Sequence, residues 1–183
     1  MKSDSRISLL IEGYPRTGYQ TYSRIVGRST RGLCISRLHP DYVAQKYGLE
    51  MSKRYWLSGQ KGDEVIAPKS LHQLIKVVRS ELRGRAGGSI FMDGLEYLLL
   101  FNDMGKVMAA IDEIDTLCKS ANVELIISVD PLTFEQKDVE KLWGAFPRYT
   151  TEEMLVKHSI EQPQRISVAE PMSAGREIAG LKV

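Results

Sequence analysis

Cysteine, histidine and long apolar runs are all scarce in this chain. Two cysteines in 183 residues, Cys34 and Cys118, both sit among apolar neighbours. That excludes a disulfide framework and points to two buried thiols in a reducing compartment. Three histidines, with His39 lacking a second ligand nearby, leave no spacing for a metal site, so a capping or solvent-facing role is expected for His39. No apolar run approaches the ~20 residues that cross a bilayer, and none forms a signal-peptide core behind Met1–Arg6. A soluble, cytoplasmic protein without membrane contact is expected. The charge lacks a dominant sign, at +2 formally, which gives no global argument for nucleic acid as a partner. The length suits one main domain with a sizeable core.

What is present is an alternation of short apolar runs with amphipathic ones. Ile7–Glu12, Leu33–Ile35, Arg54–Ser58, Ser89–Met92 and Val123–Val129 read as strands, with Glu64–Ile66 as a small edge. Between them lie helical stripes. Tyr22, Ile25 and Val26 form one, and a helix opened by His39-Pro40-Asp41 and stopped by Gly48 carries Tyr42, Val43 and Tyr47. Leu71, Leu74, Ile75, Val78 and Leu82 follow Pro68-Lys69-Ser70, and Val107, Met108, Ile111, Ile114 and Leu117 follow the break at Phe101-Asn102-Asp103. Thr133 with Gln136 fits a capping box that opens a last helix through Trp143. Strands alternating with helices imply a three-layer α/β/α domain with a mostly parallel sheet.

In such a sheet, ligands bind beyond the carboxyl ends of the strands. Ser36, Arg37, Asp93 and Asp130 fall there, with Glu96 one turn after Asp93. Asp93 closes the run Ser89-Ile90-Phe91-Met92, the place where P-loop proteins keep a magnesium-holding acid; it also suits a residue that caps the following turn. Arg37 suits an anion partner, or a strut to Asp93 or Asp130. The first strand runs into Gly13-Tyr14-Pro15-Arg16-Thr17-Gly18-Tyr19-Gln20-Thr21, with Gly13 and Gly18 spaced as in G-x-x-x-x-G-K-[ST]. The pattern fails where the chemistry lies: Tyr19 stands for the lysine and Gln20 for the Ser/Thr, while Thr21 is one place late. Backbone N–H groups of Gly13 to Gly18, with Arg16, could still attract an anion; the same loop equally serves as a plain strand-to-helix turn. No cofactor, no metal and no catalytic residue are expected.

From Pro147 the character changes. Thr151–Ile160 reads as a short amphipathic helix, and from Gln162 large apolar residues are sparse among Pro, Gly and charge. The expected division is 1–147, an autonomous α/β domain that stays folded alone, and 148–183, a helix and extended tail that docks on self or partner.

The set Arg37…Pro40, Trp56-Leu57-Ser58, Pro68…Leu71, Asp93-Gly94-Leu95-Glu96-Tyr97-Leu98, Asn102 and Asp130-Pro131 resembles an archaeal family, domain of unknown function 835, over about Leu9 to Leu142. More distantly the order of elements resembles a degenerate RecA/KaiC-type P-loop core without a working Walker A. The resemblance implies that fold and a setting beside signalling modules such as sensor kinases and receivers; it implies no activity. The expected function is a non-catalytic regulatory, ligand-sensing or protein-interaction domain, whose partners are signalling components or a related ATPase, or a second copy. Two alternatives stand beside it: a nucleotide- or anion-binding protein without hydrolysis, and a metal-dependent enzyme using Asp93 and Glu96.

Overall fold

Each of the four central strands sends alternate side chains into two different cores. Leu9, Leu33, Ile35, Ile90, Met92, Leu125 and Ile127 enter one; Leu10, Cys34, Phe91 and Ile126 enter the other. This is why the strands read as continuous apolar runs: both faces are covered. The computed structural model describes residues 4–27 and 32–160.

Among these residues the strands are β1 (Ile7–Ile11), β2 (Leu33–Ser36), β3 (Lys53–Leu57), β4 (Val65–Ile66), β5 (Ser89–Met92), β6 (Glu124–Val129) and β7 (Arg148–Tyr149). They form one sheet in the order β4-β3-β2-β5-β6-β1-β7, and every pairing is parallel. The helices are α1 (Gly18–Val26), α2 (Pro40–Tyr47), α3 (Leu71–Leu82), α4 (Leu95–Leu98), α5 (Met104–Ala121), α6 (Gln136–Ala145) and α7 (Thr151–Lys157). Tyr19, Tyr22 and Val26 of α1, Val43 of α2 and Met154 of α7 cover one face; α3, α4, α5 and Leu142 of α6 cover the other. The three-layer α/β/α architecture expected from the alternation is the one observed, with a sheet that is parallel throughout.

Local chemistry sets the boundaries. His39 caps α2 by accepting the Asp41 N–H, and Gly48 closes that helix in the left-handed conformation at φ 66°. Ser70 and Asp103 cap α3 and α5 through their side chains. The capping box expected at Thr133 and Gln136 does not form. Pro131–Thr133 is a 3-10 turn in which the Thr133 hydroxyl donates to the Asp130 carbonyl, and α6 begins after Glu135. A capping box is found instead at Thr150 and Glu153, opening α7.

The sheet does not stop at Pro147. β7 pairs with β1, and Met154 and Leu155 of α7 are buried. Lys157 donates to Glu124 and to Ser8, tying the end of α7 to β6 and β1. The tail from Gln162, expected as an extended docking arm, lies outside the described residues. Both cysteines are free and buried, and among the described residues no helix is long and apolar enough to cross a membrane.

Candidate functional site

α1 follows β1 on one face of the sheet and α6 follows β6 on the other; α2 and α5 diverge likewise from the neighbours β2 and β5. Crevices therefore open at the carboxyl ends of β1/β6 and of β2/β5, where open α/β sheets take their ligands. The first holds the glycine loop, and the second holds Ser36, Arg37, Asp93 and Glu96.

At the first crevice the chain has placed a carboxylate of its own. Glu12, the residue after β1, is buried, and its Oε2 accepts the backbone N–H groups of Thr17 at 2.8 Å and Gly18 at 2.6 Å. Its Oε1 accepts the Ser128 hydroxyl from β6. These two amides, at the N-terminus of α1, are the donors that would otherwise be offered to an anion. Gly18 permits the arrangement: a Cβ there would lie 2.8 Å from Glu12 Oε1. Gly13 has open space around it and belongs to the loop rather than to the contact.

At the second crevice two arginines meet two acids. Arg16 Nη1 donates to Asp93 Oδ1 at 2.5 Å, and its Nη2 reaches Glu96 Oε1 at 3.4 Å. Burial works against the Arg16 charge, but Asp93, Glu96 and Glu12 outweigh it and hold its pKa above the usual value. Asp93 is 1% exposed. Its Oδ2 accepts the Tyr19 hydroxyl at 2.6 Å. Because Tyr19 spends its proton on Asp93, the Ser36 hydroxyl is the donor in the Ser36–Tyr19 bond, and Ser36 Oγ in turn accepts the Leu38 N–H at 2.8 Å. Burial, and then the Asp93 charge, push the Tyr19 pKa far up, so the phenol keeps its proton.

The strut expected from Arg37 is present with a different partner. Arg37 Nη1 lies 3.3 Å from Glu96 Oε1, while Asp93 belongs to Arg16 and Asp130 turns away, accepting the Leu132 N–H at 3.0 Å. Arg16, Ser36, Arg37, Asp93 and Glu96 thus form one network, Gly18 closes the neighbouring one with Glu12, and Asp130 stands apart as a turn cap. Glu12 and Tyr19 complete the site and were not expected in it. Their signals were an acid at the end of β1 just before the glycine loop, and a hydroxyl-bearing ring in the place of the lysine.

Chemically, the buried centre of the network is a set of satisfied groups. Asp93 has its charge matched by Arg16 and accepts the Tyr19 hydroxyl, and the loop amides of Thr17 and Gly18 donate to Glu12. Among the described residues no three side chains of His, Cys, Asp or Glu converge as ligands for a metal ion. Beside the network lies a cleft of about 380 Å³, lined by Arg37, Leu38, Trp56, Leu57, Ser58 and Tyr97.

A family model described as "Protein of unknown function (DUF835)" matches residues 15–146, and the chain belongs to that family. The match runs from the glycine loop through α6, so it takes in both arginines, both acids and the cleft, and excludes β1, Glu12, β7 and α7. No curated protein matches the chain.

Proposed function

We propose that this member of the family is a non-catalytic regulatory domain: a ligand-sensing or protein-interaction module of archaeal signalling, built on a degenerate RecA/KaiC-like P-loop core. The observation that carries the reading is the Glu12 carboxylate on the amides of Thr17 and Gly18. Phosphoryl transfer depends on stabilising phosphate charge with backbone N–H groups, a lysine and Mg²⁺. Here the amides hold a resident carboxylate, a tyrosine replaces the lysine, and the strand-tip acid is spent on Arg16 and Tyr19. Each part that would do that work is committed within the chain.

Interaction with another protein, a signalling component, a related ATPase or a second copy, is supported by the same edge of the sheet. Tyr14 in the loop after β1 is 98% exposed and Leu132 in the turn after β6 is 93% exposed, and those two strands are neighbours. Large apolar side chains held out in water at one edge suit a contact surface. The setting is cytoplasmic, in keeping with two free, buried thiols.

The test is phosphate release from Mg–ATP and Mg–GTP by the full chain. The reading expects no release above a buffer blank. Steady turnover that disappears in Asp93→Ala would overturn it in favour of a metal-dependent enzyme.

A further inference from the structure

We propose that the cleft between the ends of β2 and β3 and α4 binds a small free carboxylic acid carrying a flat apolar group, through Arg37, Trp56 and Tyr97. The proposal rests on the sensing reading above and gives its ligand a chemistry.

Three observations carry it. The first is that the walls are already set. The Trp56 indole N–H donates to the Arg37 carbonyl at 3.2 Å, and His39 packs edge-on against the indole with ring centroids 4.9 Å apart. Across the cleft, Tyr97 is braced edge-on by Phe101 at 5.5 Å. Leu57 is buried in the floor of the lining, and Gly94, at φ 114°, allows α4 to come down on it: a Cβ there would lie 3.2 Å from Leu57 Cδ1 and 3.4 Å from Arg37 Cβ. Walls fixed before binding do not have to be ordered by the ligand.

The second is the charge at the rim. Glu96 Oε1 is shared by Arg16, at 3.4 Å, and Arg37, whose side chain is 42% exposed and touches it with one nitrogen at 3.3 Å. A guanidinium has five N–H donors in a planar fork that matches a carboxylate. Glu96 engages one nitrogen of that fork, and the side chain reaches solvent. The third is size: about 380 Å³ lies at the lower end of small-molecule sites, which run to roughly 300–1,000 Å³.

The experiment uses proton–nitrogen correlation spectra of the ¹⁵N-labelled full chain. Its two tryptophans give two indole signals, assigned with Trp143→Phe. Sodium phenylacetate is the probe, and phenylacetamide is its neutral counterpart. The expected result is a saturable shift of the Trp56 indole signal at millimolar phenylacetate with the Trp143 signal unmoved, and roughly tenfold weaker binding both for phenylacetamide and for Arg37→Gln, the loss of one charge-assisted contact. No saturable shift, equal binding of the neutral amide, or an unchanged affinity in Arg37→Gln would overturn the proposal. So would binding of a peptide with a free C-terminal phenylalanine but not of phenylacetate. The phenylacetamide arm needs no variant and stands even where Arg37→Gln folds poorly. None of these outcomes bears on phosphate release, so failure here leaves the non-catalytic reading standing.

Discussion

The Glu12 carboxylate sits 2.6 Å from the Gly18 N–H and 2.8 Å from that of Thr17, in the position an anion would take at the start of α1. Its other oxygen holds Ser128 of β6, so one side chain joins β1, β6 and α1. Glu12→Ala leaves two backbone donors and a hydroxyl unpaired at a buried place. Each unsatisfied group costs about 1–3 kcal/mol, and water entering the gap returns part of that. A net loss of about 2–4 kcal/mol is expected by urea unfolding at constant m. A change below about 1 kcal/mol would mean that these bonds are not structural.

Arg16 and Arg37 face the same acids with different consequences. Arg16→Ala strips Asp93 of its counter-charge at a site 1% exposed. Breaking a fully buried pair costs about 3–5 kcal/mol; Arg16 is partly solvated, so about 2–3 is expected here. Arg37→Ala removes a half-exposed contact to an acid that Arg16 still serves, and should cost less than about 1 kcal/mol. A double-mutant cycle should couple Arg16 with Asp93 and leave Arg37 with Asp93 additive. The opposite ranking would contradict the geometry.

The end of α7 is tied down by an acid-sensitive clasp. Glu124 Oε1 accepts Ser8 at 2.5 Å and Lys157, and His158 Nε2 lies 2.9 Å from Oε2. Burial alone would raise the Glu124 pKa; His158, Lys157 and Ser8 outweigh it and lower it to about 2 from the ordinary value of 4.5. The folded-state pKa is depressed. The stabilisation is therefore complete above the unfolded value and is lost as pH falls from about 4.5 toward about 2. It amounts to about 3 kcal/mol at neutral pH. Glu124→Gln should be less stable than the parent at pH 7, and the gap should close through that window. A gap that stays constant from pH 7 to pH 2 would sink this account.

A chain ending at Pro147 should lose cooperative folding or much of its stability. It would lack β7, the buried Met154 and Leu155, and the Lys157 clasp. The two side chains alone account for about 3–6 kcal/mol of burial. An unchanged urea midpoint would show that residues 148–157 only decorate the domain.

Much of the architecture was legible because strands buried on both faces leave continuous apolar runs, as at Leu33-Cys34-Ile35 and Leu125-Ile126-Ile127, and amphipathic helices leave stripes, as from Leu71 to Leu82. Arg37, Asp93 and Glu96 were legible as a strand-tip cluster, since each follows such a run. Their partners were not. The Tyr19–Asp93 bond joins residues 74 apart in sequence and Arg16–Asp93 residues 77 apart, and composition carries no record of which cation meets which acid. Glu12 read as the end of a strand; only the fold turns its carboxylate back onto Gly18. The role of α7 was hidden by its brevity, because seven residues with two buried side chains give almost no periodicity.

The most direct measurement of the central claim is calorimetric titration of the full chain with Mg–ATP, inorganic pyrophosphate and inorganic phosphate, beside Glu12→Ala. With Glu12 resident on the Thr17 and Gly18 amides, the parent chain should show no saturable heat with these three ligands at millimolar concentration, and their binding should emerge only in Glu12→Ala. Saturable sub-millimolar binding of any of these anions to the parent would contradict the account and make the loop an anion site in use.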